Sequence, residues 1–526
     1  MTDALSHFSA PVRDWFRATF SAPTAAQEGA WESIRNGNNT LIIAPTGSGK
    51  TLAAFLWALD ALHREHEAGT AGGTRILYIS PLKALGADVE RNLRAPLAGI
   101  TRLSGNDTGE PNISVGVRSG DTPARERRQL ISNPPDILIT TPESLYLMLT
   151  SAARNTLAGV TTVIVDEIHN LAATKRGAHL AVSLERLDAL LEKPAQRIGL
   201  SATVENPEAV ARFLGGIQPV TIMSRPVAKE WDLRLSVPVP NMAALGGAND
   251  YGQGLHAPSE MQGGGGSAST SSPVSAAQPI SSAASTPASA PYTLEDAIGV
   301  FPGQEITQET GQANPARQGD NTAPKNTLTI PEESLRETAD SERPETSIWP
   351  RVQERIVDHI ENNRSTIVFV NSRGLAEKLT AALNDIHLRR VLAKQGISPE
   401  DYAAGICDIA EVPPLARAHH GSVSKEQRTL IEEALKGGTL RCVVATSSLE
   451  LGIDMGHVDL VIQVAAPPSV ASALQRVGRA GHRVGEISRG FFYPKHRGDL
   501  LGATVTLAGM RSGTLEPLAI PTNPLD

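Results

Sequence analysis

Thr40-Leu-Ile-Ile-Ala-Pro-Thr-Gly-Ser-Gly-Lys-Thr51 runs from an apolar strand candidate through a glycine-rich turn to a lysine and a threonine. The residues after it, from Leu52 towards His63, are compatible with a helix. A strand, a glycine turn and a helix in that order make a phosphate-binding loop. The glycines let backbone N–H groups approach phosphate oxygens, and the helix N-terminus adds the positive end of its dipole. Thr46, Gly47, Ser48, Gly49, Lys50 and Thr51 are therefore expected to hold a nucleotide. Lys50 is suited to reach the β- and γ-phosphates, and the Thr51 hydroxyl to ligate Mg²⁺. The first loop position is Ala44, where the pattern has glycine.

Working outward, short apolar runs at Thr40–Ala44, Arg75–Ser80, 113–117, Asp136–Thr140, Thr162–Val165 and Arg197–Leu200 alternate with helix-compatible stretches. That alternation predicts a parallel sheet with helices on both faces. Upstream, Phe8, Val12, Trp15, Phe16 and Phe20 fall at helical spacing and predict an amphipathic helix. Downstream, Trp231, Leu233, Leu235, Val237 and Val239 alternate strictly and predict a half-exposed strand closing this first unit. Residues 1–242 thus read as one α/β domain. From 243 to 346 the chain is dominated by Ser, Ala, Gly, Pro, Gln and Thr, a composition that buries too little apolar surface to offset chain entropy. It is expected to be a disordered insertion. The α/β pattern resumes over 347–526, with strand candidates at Thr366–Val370, Arg441–Thr446 and Leu460–Val464.

Bulk properties exclude more than they assign. The 526 residues carry a net charge of −8, so an overall basic footprint for nucleic acid is lacking and any grip on a strand must be local. The two cysteines, Cys407 and Cys442, cannot alone build a disulfide framework or a zinc site and are expected to be buried thiols. No stretch reaches the ~18 apolar residues a membrane span needs, and no secretory signal is visible. A cytoplasmic protein is expected.

Two further groups carry chemistry. Val163-Ile-Val-Asp-Glu-Ile-His169 is an apolar strand ending in acidic residues. Alone, such a pair is a cap or a solvated edge. Downstream of a phosphate loop in one sheet, Asp166 is suited to hold Mg²⁺ and Glu167 to deprotonate an attacking water. In the second half, Gln475-Arg-Val-Gly-Arg-Ala-Gly-His-Arg483 sets arginines on a glycine-punctuated segment. A planar guanidinium stabilises charge on a transferring phosphoryl group, and this half has no phosphate loop of its own. Its arginines would act on nucleotide held by the first half.

Taken together, Asp166–His169, Leu200-Ser-Ala-Thr203, His419–Val423, Ala445–Asp454 and Gln475–Arg483 resemble the superfamily 2 helicases and, more narrowly, their large helicase-related (Lhr) family. Ser80–Leu85 and Thr140–Leu145 fit the same assignment. The resemblance implies two tandem RecA-like domains and an ATP- and Mg²⁺-dependent helicase or translocase with a role in DNA repair. It implies loading on single-stranded DNA or a tailed duplex and movement 3′ to 5′; the motifs contact backbone and leave RNA and RNA:DNA hybrid open. By position, Gln27 resembles an adenine-reading glutamine with Phe16 or Phe20 beside it, and Gly452 and Asp454 contact nucleotide from the second domain. Arg479 resembles an arginine finger. The second finger position holds His482, with Arg483 next to it, which leaves that role open. Lys83, Thr141, Arg373 and Thr446 match strand-phosphate contacts. Relatives continue into a winged-helix domain where this chain is expected to stop. No membrane and no obligate protein partner are implied.

Overall fold

The computed structural model describes residues 3–45, 47–70, 72–105, 113–224, 230–239, 242, 347–403, 412–450, 455–481 and 486–521. The whole of the expected insertion, 243–346, lies outside them, as do Thr46, Cys407, Gly452, Asp454, His482 and Arg483.

The strands are β1 (Asn39–Ile43), β2 (Ile76–Ile79), β3 (Val115–Arg118), β4 (Ile137–Thr140), β5 (Thr162–Val165), β6 (Gln196–Ser201) and β7 (Val220–Ser224), then β8 (Trp231–Leu235), β9 (Thr366–Phe369), β10 (Ala416–His419), β11 (Cys442–Ala445), β12 (Leu460–Val464) and β13 (Ser488–Tyr493). They form a seven-stranded sheet, β3-β4-β2-β5-β6-β1-β7, and a six-stranded sheet, β10-β11-β9-β12-β13-β8. Every ladder in both is parallel. The two parallel-sheet α/β bodies agree with the tandem RecA-like arrangement, and both lie in one compact unit.

Parallel strands need crossovers, and the crossover helices cover both faces, so central strands are apolar throughout. The first sheet shows this residue by residue. Ile42, Tyr78, Ile139 and Ile164 face one core with Trp15, Phe16, Trp31 and Phe55. Their neighbours Leu41, Leu77, Leu138 and Val163 face another with Leu145, Leu180 and Leu214. The predicted N-terminal helix is present as Ala10–Thr19, with Val12, Trp15 and Phe16 buried and Phe20 left exposed at its end. Among the described residues no helix is long and apolar enough to cross a membrane.

One expectation fails. The alternating segment is a strand, but β8 does not close the first sheet; it pairs with β13 in the second, from Trp231 opposite Ser488 to Leu235 opposite Phe492. Leu233 packs into a core with Phe369, Val443, Val461 and Phe492. Alternation reports that a strand is half-buried, not which sheet buries it. Near the other end of the chain, Leu515 joins that second-sheet core while Leu518 packs on the first.

The second body also contains a half-buried titratable contact. His359, on the helix Trp349–Glu361, meets Tyr493 Oη at 2.9 Å and lies against Phe491. Burial pushes its pKa from 6.5 down to about 4. The unfolded chain therefore binds a proton that the folded one refuses. This contribution is full above pH 6.5 and is lost as pH falls towards about 4. Its ceiling is about 3 kcal/mol at ~1.4 kcal/mol per pKa unit. His359→Leu is expected to make the fall in thermal midpoint over that acid range shallower than in wild type. Parallel pH profiles from calorimetry would refute this.

Candidate active site

The phosphate loop, the acidic pair and the Ser-Ala-Thr segment emerge at the C-terminal ends of parallel strands β1, β5 and β6, the edge where open α/β sheets place ligands, while the arginine segment lies on and after the helix Val470–Val477. The loop after β1 turns into the helix Lys50–Glu67 through Gly49, whose φ of +80° is the left-handed region. A side chain there would be strained, and its Cβ would stand 2.6 Å from Gln27 Nε2. Gly47 has φ of +84° for the same turn. Gln27 closes a capping box with Thr24 at the start of the helix Ala25–Arg35, and its Nε2 donates to Gly49 O at 3.4 Å. Thr24 Oγ1 donates to Ser48 O at 3.0 Å. The helix carrying Gln27 is thus fastened directly to the phosphate loop. Lys50 Nζ donates to Ala44 O at 2.5 Å and Pro45 O at 2.9 Å. Thr51 is exposed on the first turn.

The acidic pair ends β5, two strands away from β1 in the same sheet. Asp166 is buried, accepts from the Glu167 backbone N–H at 2.9 Å and from the Tyr78 hydroxyl on β2. Burial, and then the Glu167 charge, push its pKa to about 7. Glu167 sits at φ of +44°, one of two non-glycine residues with positive φ among the described residues. Such backbone costs of order 1–3 kcal/mol and persists where surrounding structure over-determines it. Two carboxyl groups crowded into a buried edge beside Lys50 form a donor set that fits a hard cation and the phosphates it would carry. Burial also lowers the Lys50 pKa, with Glu167 and Asp166 opposing it and Arg479 adding to it.

That last influence crosses between the two bodies. Arg479 is buried, follows the helix Val470–Val477 of the second body, and donates from Nη2 to Glu450 O at 3.1 Å. A direct contact crosses beside it: the Gln475 side-chain amide lies 2.7 Å from His169 Nε2. His169 Nδ1 accepts from the Ala202 N–H at 3.3 Å and lies 3.2 Å from Ser201 Oγ. The acidic segment, the Ser-Ala-Thr segment and the arginine segment therefore meet at one imidazole. The motif strings contain Gln475 and His169, but the sequence assigns them no role, because nothing in spacing shows that residues so far apart touch. Tyr78 is hidden in an apolar strand. Arg476 is committed within its own body, to Glu450, Asn371 and Gln463.

The four expected strand contacts divide. Lys83 and Arg373 are exposed at helix N-termini; Lys83 pairs with Asp121 at 2.6 Å and Arg373 Nη1 donates to Ser422 Oγ at 2.8 Å. Thr446 follows β11, with its N–H on His419 O at 3.3 Å. Thr141 is buried, and its hydroxyl accepts from the Ser144 N–H at 3.4 Å as the cap of the helix Pro142–Leu149. Its side chain serves the helix.

Comparison with known proteins agrees with this geometry. Residues 24–210 match the DEAD/DEAH box helicase family and 412–484 the helicase conserved C-terminal domain. Over 534 residues the chain is 52% identical to the Lhr helicase/probable uracil glycosylase of Mycolicibacterium smegmatis, covering 100% of this chain and 29% of that protein. The chain belongs to the Lhr family. An ATP-dependent helicase Lhr-Core protein 2 of Thermococcus barophilus is 34% identical over 527 residues, 98% of this chain and 47% of that one. Among solved structures, the Mycobacterium smegmatis helicase Lhr bound to ssDNA and AMP-PNP superposes with a TM-score of 0.73 at 51% identity, covering 100% of this chain and 52% of that chain. This Lhr-family chain thus spans less than a third of its bacterial relative and about half of the archaeal one.

Proposed function

We propose that this chain is the ATP-hydrolysing motor of an Lhr-type helicase, gripping single-stranded DNA and moving along it 3′ to 5′ in DNA repair. The meeting of Gln475 with His169, with the Arg479 charge felt at Lys50, supports the reading most directly. It makes the hydrolytic site depend on both bodies, which is what couples a chemical step to domain movement. The helicase Lhr structure bound to ssDNA and AMP-PNP supports both ligand classes.

In this reading Thr46 to Thr51 cradle the phosphates, with Gln27 beside the base and Gly452 and Asp454 on the nucleotide from the second body. Lys50 offers charge to the β- and γ-phosphates, and Glu167 orients water and accepts its proton. Arg479 balances charge on the transferring group, with Arg483 as the second candidate finger. Thr51 and Asp166 would hold Mg²⁺, whose contribution is neutralising phosphate charge. Lys83, Thr141, Arg373 and Thr446 contact strand phosphates; such contacts position a backbone without reading its sequence.

ATP turnover is measured with single-stranded DNA, single-stranded RNA or no polymer, alongside displacement from duplexes with 3′ or 5′ tails. DNA-stimulated turnover and displacement on the 3′ tail are expected. Equal turnover with and without polymer would overturn the motor reading; stimulation by RNA alone would move the substrate.

A further inference from the structure

His419 ends β10 with its side chain wholly buried, and the functional reading leaves it without a task. Its ring is held at both nitrogens. Nε2 lies 3.0 Å from Glu432 Oε1 on the helix Lys425–Lys436, and Nδ1 lies 2.8 Å from Ser448 Oγ. A carboxylate only accepts, so Nε2 carries a proton towards Glu432. The His419 carbonyl accepts from the Thr446 N–H at 3.3 Å and lies 2.9 Å from Ser448 Oγ, whose one proton serves either this carbonyl or Nδ1. One residue therefore clasps the turn after β11 by side chain and main chain together. Serine, histidine and glutamate in this order also share the outline of a hydrolytic triad. The Ser448 hydroxyl, however, is turned inward onto a carbonyl, which is poor placement for a nucleophile.

The clasped turn has two ends. At one stands Thr446, an expected strand contact. At the other stands Glu450, which holds Arg476 through its carboxylate at 3.0 Å and Arg479 through its carbonyl at 3.1 Å. The neighbouring His420 faces elsewhere, with Nε2 2.6 Å from Glu377 Oε1. A hydrophobic residue could fill the same space; a buried polar ring is stable only with its partners in place, and then it fixes geometry.

We propose that His419, braced by Glu432, is a positioning residue that registers the 446–450 turn so that strand contact at Thr446 sets the placement of Arg479. This rests on the functional reading above. It needs no contact between His419 and either ligand. Loosening the clasp should uncouple strand binding from hydrolysis while leaving the phosphate loop and acidic pair untouched.

The test uses the full chain with Ser448→Ala, Glu432→Ala and Glu432→Gln. ATP turnover is followed against single-stranded DNA concentration, with basal turnover and thermal midpoint measured on the same samples. Ser448→Ala and Glu432→Ala should keep basal turnover close to wild type and lose about 10²-fold in DNA stimulation, the scale on which small misplacements act, while Glu432→Ala also lowers the thermal midpoint because it leaves a buried donor without its acceptor. Glu432→Gln keeps an acceptor oxygen and should behave as wild type. Full stimulation in both alanine variants, or stimulation that falls only in step with thermal stability, would overturn the proposal. A wild-type chain that no polymer stimulates would overturn the motor reading and this inference with it; stimulated wild type with indifferent variants overturns this inference alone.

Discussion

Arg479→Ala is expected to bind ATP as wild type does and to lose about 10³-fold or more in DNA-stimulated turnover. Its guanidinium belongs to the second body, yet its charge reaches Lys50 in the first. Removing it leaves the phosphate cradle intact and subtracts charge only where the transferring phosphoryl group develops it. Lysine should not restore activity, because a point charge lacks the planar donor fork. Nucleotide affinity and ATP turnover at saturating single-stranded DNA measure the two halves of this claim. Wild-type turnover in Arg479→Ala, or hydrolysis by residues 1–224 alone at the rate of the whole chain, would remove the composite site.

Glu167→Gln should be nearly as severe in turnover, by about 10²–10⁴-fold, the range for losing a general base. It differs in kind, because the amide has the same shape and can keep the unusual backbone at that position. ATP should therefore remain bound, and the variant should accumulate as a nucleotide complex. Lys50→Ala, by contrast, should weaken binding and turnover together. Near-normal hydrolysis in Glu167→Gln would show that another group takes the proton from water.

How much of this was legible in the sequence follows from where each residue is buried. β1, β2, β4, β5, β6, β9, β11 and β12 announce themselves as short apolar runs because helices cover both their faces. β10, Ala-Arg-Ala-His, is an edge strand with one polar side and gave no such run. β13 begins Ser-Arg-Gly and hides its strand character until Phe491. The phosphate loop and acidic pair were visible because their chemistry is local. The Gln475–His169 contact and the His419 clasp were not, since each joins residues that only the folded sheets bring together. Thr141 shows the converse: its place in a motif was legible, but its hydroxyl turned out to be used by the helix it begins.

The pairing of β8 with β13 changes what residues 243–346 can be. The chain passes from the first sheet to the second through residues 225–230, because β8 already belongs to the second body. The described elements that flank the long Ser-, Ala- and Gly-rich segment in sequence, β8 and the helix Trp349–Glu361, both belong to that body. Its two ends are therefore anchored on one body. Adding or removing residues there leaves the tether between the two bodies unchanged. The linkage between the two bodies and the composition of this segment are separate variables, free to change independently.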